Sequence, residues 1–444
     1  MNVKKIGLRV IRKSSHLTNK AIHKGLTFTT KVEDKSNRII SGVDFSASTF
    51  KEIPFEKVYF NGIKYNIAPL NPALPAVGRK GMVTLLIPSL SKASFYGGTA
   101  TALLIAGKLA VNLNKNLRIV ETLAPGGLDG LGDFFVKNNI TLQENSIELI
   151  DVSARSYNIY GYLDIHPDDI HIASAWWDAL LLDKLPLPKK YIYLLQDFEP
   201  IFYANSDEYL LAENTYHSNK FIPVCNTKLM YTFMSERYMN IKKNGIWFEP
   251  AMSQNKNGYS IENIDKKRLF LYGRPSVERN LFYSGLNALN IAFNSGALDP
   301  NKWDLYMAGQ DKLPNITLSS GIEIKNLGKM DVATYYKFAR TIDLTISLMM
   351  APHPNYPTLE LSSIGSAVVT TKYKTKQDLS EYSKNIYMAD LSIESIVDAI
   401  KDASKISYKQ RIDNAKQSNI PDNWDETLKE LLEEIKNKLI LSNS

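Results

Sequence analysis

The chain from residue 82 onward alternates short apolar runs with polar segments that contain glycine and proline. The apolar runs are almost unbroken, which is typical of parallel strands buried on both faces, and they fall at 82–89, 117–123, 147–152, 191–195, 268–272, 303–308 and 342–349. Segments that read as helices lie between them, including 100–111, 332–340 and 392–403. Strands that alternate with helices predict an α/β protein with doubly wound sheets.

A chain of 444 residues is too long for one ordinary hydrophobic core, so we expect two such domains. The polar, turn-rich segment 253–258 has the composition of a crossing between them. The predicted parts are a basic N-terminal extension over 1–77, a first domain over 78–250, a second domain over 251–420, and an amphipathic C-terminal helix within 421–444.

The N-terminal extension carries the excess positive charge. Eight cations precede Glu33, so a net charge of +7 leaves 7 − 8 = −1 for the rest of the chain. A nearly neutral body gives little support for nucleic-acid binding. Apolar residues at rough helical spacing could bring the extension to an anionic lipid surface, although a solvated tail or a helix packed on the protein itself is the favoured alternative. Further along, residues 58–65 look like a hairpin that turns at Asn61-Gly62.

The composition, 44% hydrophobic and 22% charged, is that of a soluble globular protein. No apolar run approaches the ~18 residues of a membrane span, and no secretory signal pattern is found. A single cysteine, Cys225, excludes a disulfide framework or a multi-cysteine metal site and is consistent with a reducing cytoplasm. Cys225 lies in an apolar run, so we expect a small buried side chain.

One stretch, residues 347–369, has the order strand, proline-rich loop, helix and strand. Pro357 suits the start of a helix, because its missing N–H would be unpaired there anyway. Glu360 then falls in the first helical turn, and Gly365 ends the helix. The carboxylate of Glu360 would thus lie near the crevice above the strands, where open α/β sheets bind ligands.

This layout resembles the nucleotide-sugar site of family 4 glycosyltransferases, in which an early helical Glu binds the donor ribose. The family's motif has two acidic residues separated by seven positions; Glu360 matches the second, and Pro352 stands in place of the first. The histidine-proline variant of the loop is similar to the rhamnosyltransferase subfamily typified by the S-layer enzyme WsaF. The resemblance implies a GT-B fold, with two Rossmann-like domains facing a central cleft, a C-terminal helix that crosses back to the first domain, and Thr358, Leu359 and Glu360 in the donor site.

The same resemblance implies three further groups of donor-binding residues. Gly97-Gly98 opens a helix, where glycines let backbone N–H groups approach an anion, although an ordinary tight turn is an alternative. Arg274 and Arg279 match the positions at which the family grips the diphosphate. Ser276 is a good N-cap, which would put Arg279 in the first turn of a helix, where a cation suggests an anionic ligand. Their alternative is a salt bridge at the rim.

Lys329, which borders the nucleotide base by resemblance, is also expected to bind the donor; a solvated lysine is the alternative. The segment Gln196-Asp197-Phe-Glu199-Pro is similar to the same subfamily and follows an apolar strand. By resemblance, Asp197 would lie on the acceptor side, with Glu199 beside it; a helix cap or a structural salt bridge is the alternative for both. His353 could contact the transferred sugar in place of the absent acid, or be a loop histidine without a chemical role.

The function implied by the resemblance is transfer of L-rhamnose from dTDP-β-L-rhamnose, with retention of configuration, to a growing surface polysaccharide or lipid-linked glycan. No metal or cofactor is expected, since the sequence has no DxD motif and no clustered His or Cys ligands. The alternatives are a donor carrying UDP or GDP, and a non-catalytic sugar-binding protein on the same fold. We expect a cytoplasmic protein, which the basic N-terminal extension could bring to the inner face of the membrane.

Overall fold

The computed structural model describes residues 55–73, 78–91, 95–143, 146–156, 161–252, 258–263, 265–311 and 313–441. The proposed lipid-binding segment at the N-terminus lies outside these residues. The chain divides into a small compact unit, Met1–Ala68 with Arg155–Ile159, and a large one, Pro69–Ala154 with Tyr160–Ser444. No helix within the described residues is long and apolar enough to cross a membrane.

The small unit contains helix α1 (Phe55–Gly62), where the sequence suggested a hairpin. Phe55 and Tyr59 are one helical turn apart, and their rings stack with centroids 5.3 Å apart. That aromatic pair favours the helix, and Gly62 is its last residue instead of a hairpin turn. The hairpin prediction was therefore wrong.

The large unit contains two seven-stranded sheets. The first is parallel throughout, has the order β4-β3-β2-β6-β7-β8-β9, and comprises β2 (Val83–Ile87), β3 (Leu117–Glu121), β4 (Ile147–Asp151), β6 (Ile170–Ala173), β7 (Tyr191–Leu195), β8 (Phe221–Asn226) and β9 (Ile246–Phe248). Strands β1 (Asn71–Ala73) and β5 (Tyr162–Asp164) pair separately. The helices of this domain are α2 (Gly97–Asn112), α3 (Leu131–Lys137), α4 (Trp176–Lys184), α5 (Asp207–Thr215), α6 (Lys228–Ser235) and α7 (Met239–Asn244).

The second sheet has the order β12-β13-β11-β10-β14-β15-β16, and only its edge strand β12 is antiparallel. Its strands are β10 (Lys267–Tyr272), β11 (Trp303–Ala308), β12 (Ile316–Thr317), β13 (Glu323–Asn326), β14 (Leu344–Ile346), β15 (Ala367–Thr371) and β16 (Ile386–Ala389). The helices that follow in the chain are α8 (Phe282–Asn294), α9 (Val332–Ala339), α10 (Tyr356–Ser363), α11 (Ile393–Lys405), α12 (Tyr408–Lys416) and α13 (Trp424–Leu441).

Each sheet has an apolar cluster on both of its faces, which confirms the predicted doubly wound α/β class. The cysteine prediction is also confirmed, because Cys225 on β8 is fully buried. In the first sheet the strand order reverses between β2 and β6. Crevices at such reversal points, beyond the carboxyl ends of the strands, are where this architecture binds ligands.

The C-terminal helix α13 packs on the first sheet. Leu428, Leu431 and Ile435 join the apolar cluster that contains Val83, and Lys108 of α2 forms an ion pair with Asp425. The chain thus enters the second domain and returns from it. At the two crossings, the Met252 amide donates a hydrogen bond of 2.6 Å to the Pro421 carbonyl oxygen.

Helix α8 begins later than its sequence suggested. Ser276 does not cap it; the chain forms a short 3-10 turn over Glu278–Asn280, and Leu281, in the left-handed region with φ 49°, precedes the helix. The reason is packing, because the buried stripe that faces the second sheet starts at Phe282 and continues through Gly285 and Leu289. Arg279 is therefore not in the first turn of α8, and the helix dipole gives no indication of its ligand.

Candidate active site

Two hydrogen-bonded links bring the two sheets together at their carboxyl ends. One link joins Asp197, which follows β7, to Arg279, which follows β10. The other joins Tyr356, the first residue of α10, to residues at the end of β8 and in the first turns of α2. Several of the residues singled out by sequence therefore face one crevice between the two domains.

Arg279 is held between a carboxylate and an aromatic ring of the first domain. Its Nε donates to Asp197 Oδ2 at 3.1 Å, and the guanidinium lies 3.9 Å from the ring centre of Phe202. Asp197 Oδ1 accepts from the Phe198 amide at 2.8 Å. Neither Nη1 nor Nη2 of Arg279 has a partner in the described part of the chain. The salt bridge that was the alternative for Arg279 and for Asp197 is thus formed. It fixes the Arg279 side chain and leaves both of its Nη groups available to an anion.

The charge on Asp197 is balanced between opposing effects. Burial raises the pKa of Asp197, whereas the neighbouring cations Arg279 and Lys376 lower it. The net effect is upward, so this carboxylate depends on its cations to stay ionised.

Tyr356 connects the domains through its hydroxyl group. Asn226 Nδ2 donates to Tyr356 Oη at 2.7 Å, and Tyr356 Oη lies 2.9 Å from Thr101 Oγ1. Since Thr101 Oγ1 donates to the Gly97 carbonyl oxygen at 3.1 Å, the tyrosine is the donor to Thr101. Sequence reasoning gave Tyr356 no role, because a tyrosine in a proline-rich loop carries no motif of its own.

His353 is buried, with 3% of its surface exposed. Its Nδ1 accepts a hydrogen bond from the Asn355 amide at 3.0 Å, so the proton resides on Nε2, which has no partner among the described residues. Burial, with the charges of Lys376 and Arg279, lowers the pKa of His353 to about 3. His353 is therefore a neutral hydrogen-bond donor at physiological pH.

Arg274 follows strand β10 directly. Its Nη1 donates to Tyr272 Oη at 3.3 Å, and no acidic side chain in the described ranges pairs with it. Its aliphatic stem crosses Gly309, which has φ 126° and where an added Cβ would lie 2.8 Å from Arg274 Cγ. The rim salt bridge that was the alternative for Arg274 is therefore not formed in this structure.

Glu360 in α10 is held by two tyrosines of α9. Tyr336 Oη donates to Glu360 Oε1, and Tyr335 also hydrogen-bonds this carboxylate. Burial raises the pKa of Glu360, and both tyrosines oppose the shift. The carboxylate is thus oriented by its own domain and has lone pairs left to accept from a ligand.

The other predicted donor residues are placed less favourably for side-chain contact with a ligand. Thr358 Oγ1 is buried 3.1 Å from Ser347 Oγ, and Leu359 packs with Met252 and Ile420. The Lys329 side chain is exposed, while its amide donates to Asp311 Oδ1 at 2.8 Å.

Gly97 and Gly98 form the start of α2, and Gly97 has φ 53°. A Cβ at Gly98 would lie 3.2 Å from Gln196 Oε1, so the glycine lets this amide approach the helix. Gln196 Oε1 and Asn226 Oδ1 are both buried without a partner among the described residues. Such atoms need water or a ligand, because an unpaired buried polar atom is costly.

Glu199 belongs to a network within the first domain. Tyr193 Oη donates to Glu199 Oε2 at 3.0 Å, and the Trp176 amide, at the start of α4, also donates to this carboxylate. Burial raises the pKa of Glu199 to about 8. These contacts match the helix-cap alternative, and the catalytic role remains a prediction.

Lys376 lies in the same region and was missed by sequence reasoning. Its ammonium donates to the carbonyl oxygens of Met349 and His353, and the side chain is fully buried. The sequence gives no signal for it, since three lysines within five residues, 372–376, normally indicate a solvated turn.

Two family models match the chain. A model described as WsaF, N-terminal domain, matches residues 82–228, and one described as WsaF, C-terminal domain, matches residues 267–401. A curated relative, the O-antigen biosynthesis protein RfbC of Myxococcus xanthus, is 30% identical over 237 residues. That region is 53% of this chain and only 18% of the relative.

Solved structures of glycosyltransferases share the architecture. WaaG, a glycosyltransferase involved in lipopolysaccharide biosynthesis, is 12% identical with a TM-score of 0.53, covering 82% of this chain and 100% of its own. A mutant of S. aureus TarM in complex with fondaparinux, alpha-GlcNAc-glycerol and UDP is 10% identical with a TM-score of 0.56, and the match covers 81% of this chain and 100% of that one. Sucrose-phosphate synthase from Thermosynechococcus elongatus is 10% identical with a TM-score of 0.54, and the match covers 82% of this chain and 100% of that one. At these identities the likeness shows the fold alone, which is the predicted GT-B arrangement.

Proposed function

Since the chain belongs to the WsaF family of glycosyltransferases, we propose that it transfers L-rhamnose from dTDP-β-L-rhamnose to a surface polysaccharide or lipid-linked glycan. The name of the Myxococcus xanthus relative supports the proposed role in polysaccharide or O-antigen synthesis. The rhamnosyl donor and retention of configuration rest on the resemblance of the loop around His353.

The proposal rests on one observation: several hydrogen-bonding groups at the crevice have no partner among the described residues. Arg274 and both Nη groups of Arg279 have no acidic partner in the described residues. Two acceptors, Gln196 Oε1 and Asn226 Oδ1, and one donor, His353 Nε2, are buried without partners there. A nucleotide sugar has a diphosphate that can bind the two arginines, and several hydroxyl groups that can pair with the buried polar atoms.

The diphosphate would bind at the two arginines. Guanidinium groups form paired, charge-assisted hydrogen bonds with phosphate oxygens. As the bond between sugar and diphosphate breaks, negative charge grows on the leaving oxygen, and fixed donors that await this charge stabilise the transition state. The amides at Gly97 and Gly98, at the positive end of α2, would add to the same effect.

The nucleoside and the sugar would lie on either side of the diphosphate. Glu360, already oriented by Tyr336, would accept a hydrogen bond from the pentose. The neutral His353 would donate from Nε2 to a hydroxyl group of the transferred sugar. Asp197 would hold Arg279 and face the acceptor, so its contribution is orientation and electrostatics. In line with the family resemblance, we propose that no metal ion is required.

Transfer of radiolabel from dTDP-rhamnose to glycan or lipid-linked acceptors tests the activity. Calorimetric titration with dTDP, UDP and GDP tests the choice of nucleotide. We expect dTDP to bind most tightly and label to enter the acceptor fraction. Preference for UDP or GDP would overturn the proposed donor, and tight binding without transfer to any acceptor would favour a non-catalytic sugar-binding protein.

A further inference from the structure

Lys376 is a fully buried cation placed by a tight turn after β15. Tyr373 and Lys376 pair through their backbones, and Lys374 between them has φ 47°. Lys376 Nζ donates to the Met349 carbonyl oxygen at 2.9 Å and to that of His353 at 3.4 Å. This side chain therefore ties together the two ends of the short loop that carries His353.

The loop has a second attachment that involves no charge. Thr371 Oγ1 donates to the Met349 carbonyl oxygen and accepts from the Met349 amide, both at 3.0 Å. Since Thr371 already fixes Met349, the ammonium of Lys376 is not needed for that anchor alone. An apolar residue would fill the same space without the desolvation cost that a buried charge carries.

The acid whose charge acts on Lys376 is Asp197, from the other domain. Asp197 is thus ion-paired with Arg279 at 3.1 Å, and the charge of Lys376, with which it forms no ion pair, also lowers the pKa of Asp197. Burial lowers the pKa of Lys376 to about 7, and Asp197 opposes the shift. Two other titratable groups lie near this pair of charges: His353 interacts with Lys376, and Tyr373 interacts with Asp197. Both are neutral at pH 7.

We infer that Lys376 is a positioning residue of the transferase, whose ammonium holds the His353 loop in place and whose charge helps to keep Asp197 ionised while Arg279 engages the donor diphosphate. This inference rests on the proposed function. A diphosphate that binds the guanidinium of Arg279 takes away part of the positive charge that stabilises ionised Asp197. Lys376 supplies the second positive charge, from the domain that also binds the donor.

This role affects turnover more than donor binding. Lys376 lies behind the loop and is fully buried, so its substitution leaves Arg274, Arg279 and Glu360 available to the nucleotide. We expect Lys376→Gln, which keeps an N–H donor but removes the charge, to bind dTDP within roughly twofold of wild type. Its kcat should fall roughly tenfold to a hundredfold, the range for loss of a hydrogen bond to a charged group.

The matched control is Lys374→Gln, an exposed lysine in the same turn, which should keep wild-type kcat and dTDP affinity. Lys376→Arg keeps the charge and should recover part of the activity lost in Lys376→Gln. Wild-type kcat should decline as pH rises through about 7, because the ammonium is then lost, and Lys376→Gln should lack this limb. Melting temperatures of all variants show whether they fold.

The inference would be overturned if Lys376→Gln kept the wild-type kcat, or if its kcat declined above pH 7 as the wild-type kcat does. If Lys376→Gln fails to fold, the wild-type pH profile and Lys376→Arg decide: a flat profile between pH 6 and 9 refutes the role. A wild-type protein that neither binds dTDP nor transfers rhamnose refutes the proposed function, and this inference with it. If only the role of Lys376 is wrong, the wild-type protein still binds dTDP and transfers rhamnose.

Discussion

The hydroxyl group of Tyr356 in the second domain accepts a hydrogen bond from the side-chain amide of Asn226 in the first, at 2.7 Å. The same hydroxyl group reaches Thr101 at 2.9 Å. One oxygen atom thus connects the start of α10 with the end of β8 and the first turns of α2. The contact links the two domains beside Asn226, where we propose that the transferred sugar binds.

Replacing Tyr356 with Phe should destabilise the protein. The Asn226 amide would be left buried without a partner, and the free energy of unfolding should fall by about 1–3 kcal/mol. Urea denaturation monitored by tryptophan fluorescence measures the change. Tyr283→Phe is the matched control, because Tyr283 is 72% exposed. Equal midpoints for the two variants would contradict an energetic role for the Tyr356 hydroxyl group.

Removing Arg274 should weaken the binding of dTDP. A lost hydrogen bond to a charged group costs about 1.5–3 kcal/mol, so the Kd of Arg274→Ala should rise accordingly. Isothermal titration calorimetry at fixed ionic strength gives the value. Arg268→Ala, at the opposite end of strand β10, should bind dTDP like wild type. Unchanged affinity in Arg274→Ala would remove this residue from the donor site.

Glu360→Gln tests whether the carboxylate binds the pentose. Gln keeps an oxygen acceptor for Tyr336 but loses the charge, so dTDP affinity should fall by about tenfold. An analogue of dTDP without the 3′-hydroxyl group should bind the variant and the wild type equally well. The exposed Glu394→Gln is the control. If the analogue is as sensitive to the substitution as dTDP, Glu360 contacts another part of the nucleotide.

Glu199→Gln should change the pH dependence of stability. Burial raises the pKa of Glu199 from its ordinary 4.5 to about 8 in the folded protein. Between these values the folded state holds a proton that the unfolded state has released, so Glu199 makes stability fall as pH rises from 4.5 to 8. Gln cannot ionise, so the melting temperature of the variant relative to wild type should increase over this range.

The comparison of melting temperatures at pH 5 and pH 8.5 decides this prediction, and the difference should be larger at the higher pH. A difference that is constant with pH would mean that Glu199 is ionised in the folded state. A loss of kcat at all pH values, with no effect on stability, would instead support the catalytic role suggested by sequence.

The buried strands were predictable because each one is an apolar run between clear turns. Strands β2, β7 and β10 begin and end within a few residues of their apolar runs. The errors arose where a local signal competed with packing. Asn61-Gly62 is a strong turn pair, but the stacked Phe55 and Tyr59 favour a helix. Ser276 is a good cap, but the apolar stripe begins at Phe282.

The candidate site was only partly predictable for a different reason. Resemblance identified Arg274 and Glu360 because they occur at recognisable distances from strand ends. Lys376 and Tyr356 act through contacts with residues of another strand end or another domain, and no spacing along the chain encodes those contacts. Arg279 was predicted as a donor contact, but its pairing with Asp197 joins positions 82 residues apart and needed the three-dimensional structure.

The hydrogen bond between Met252 and Pro421 joins the outgoing and returning connections of the second domain. Both connections therefore pass through a single pivot. We therefore expect a hinge motion of the two domains to leave this hydrogen bond intact, whereas sliding of one connection past the other would break it.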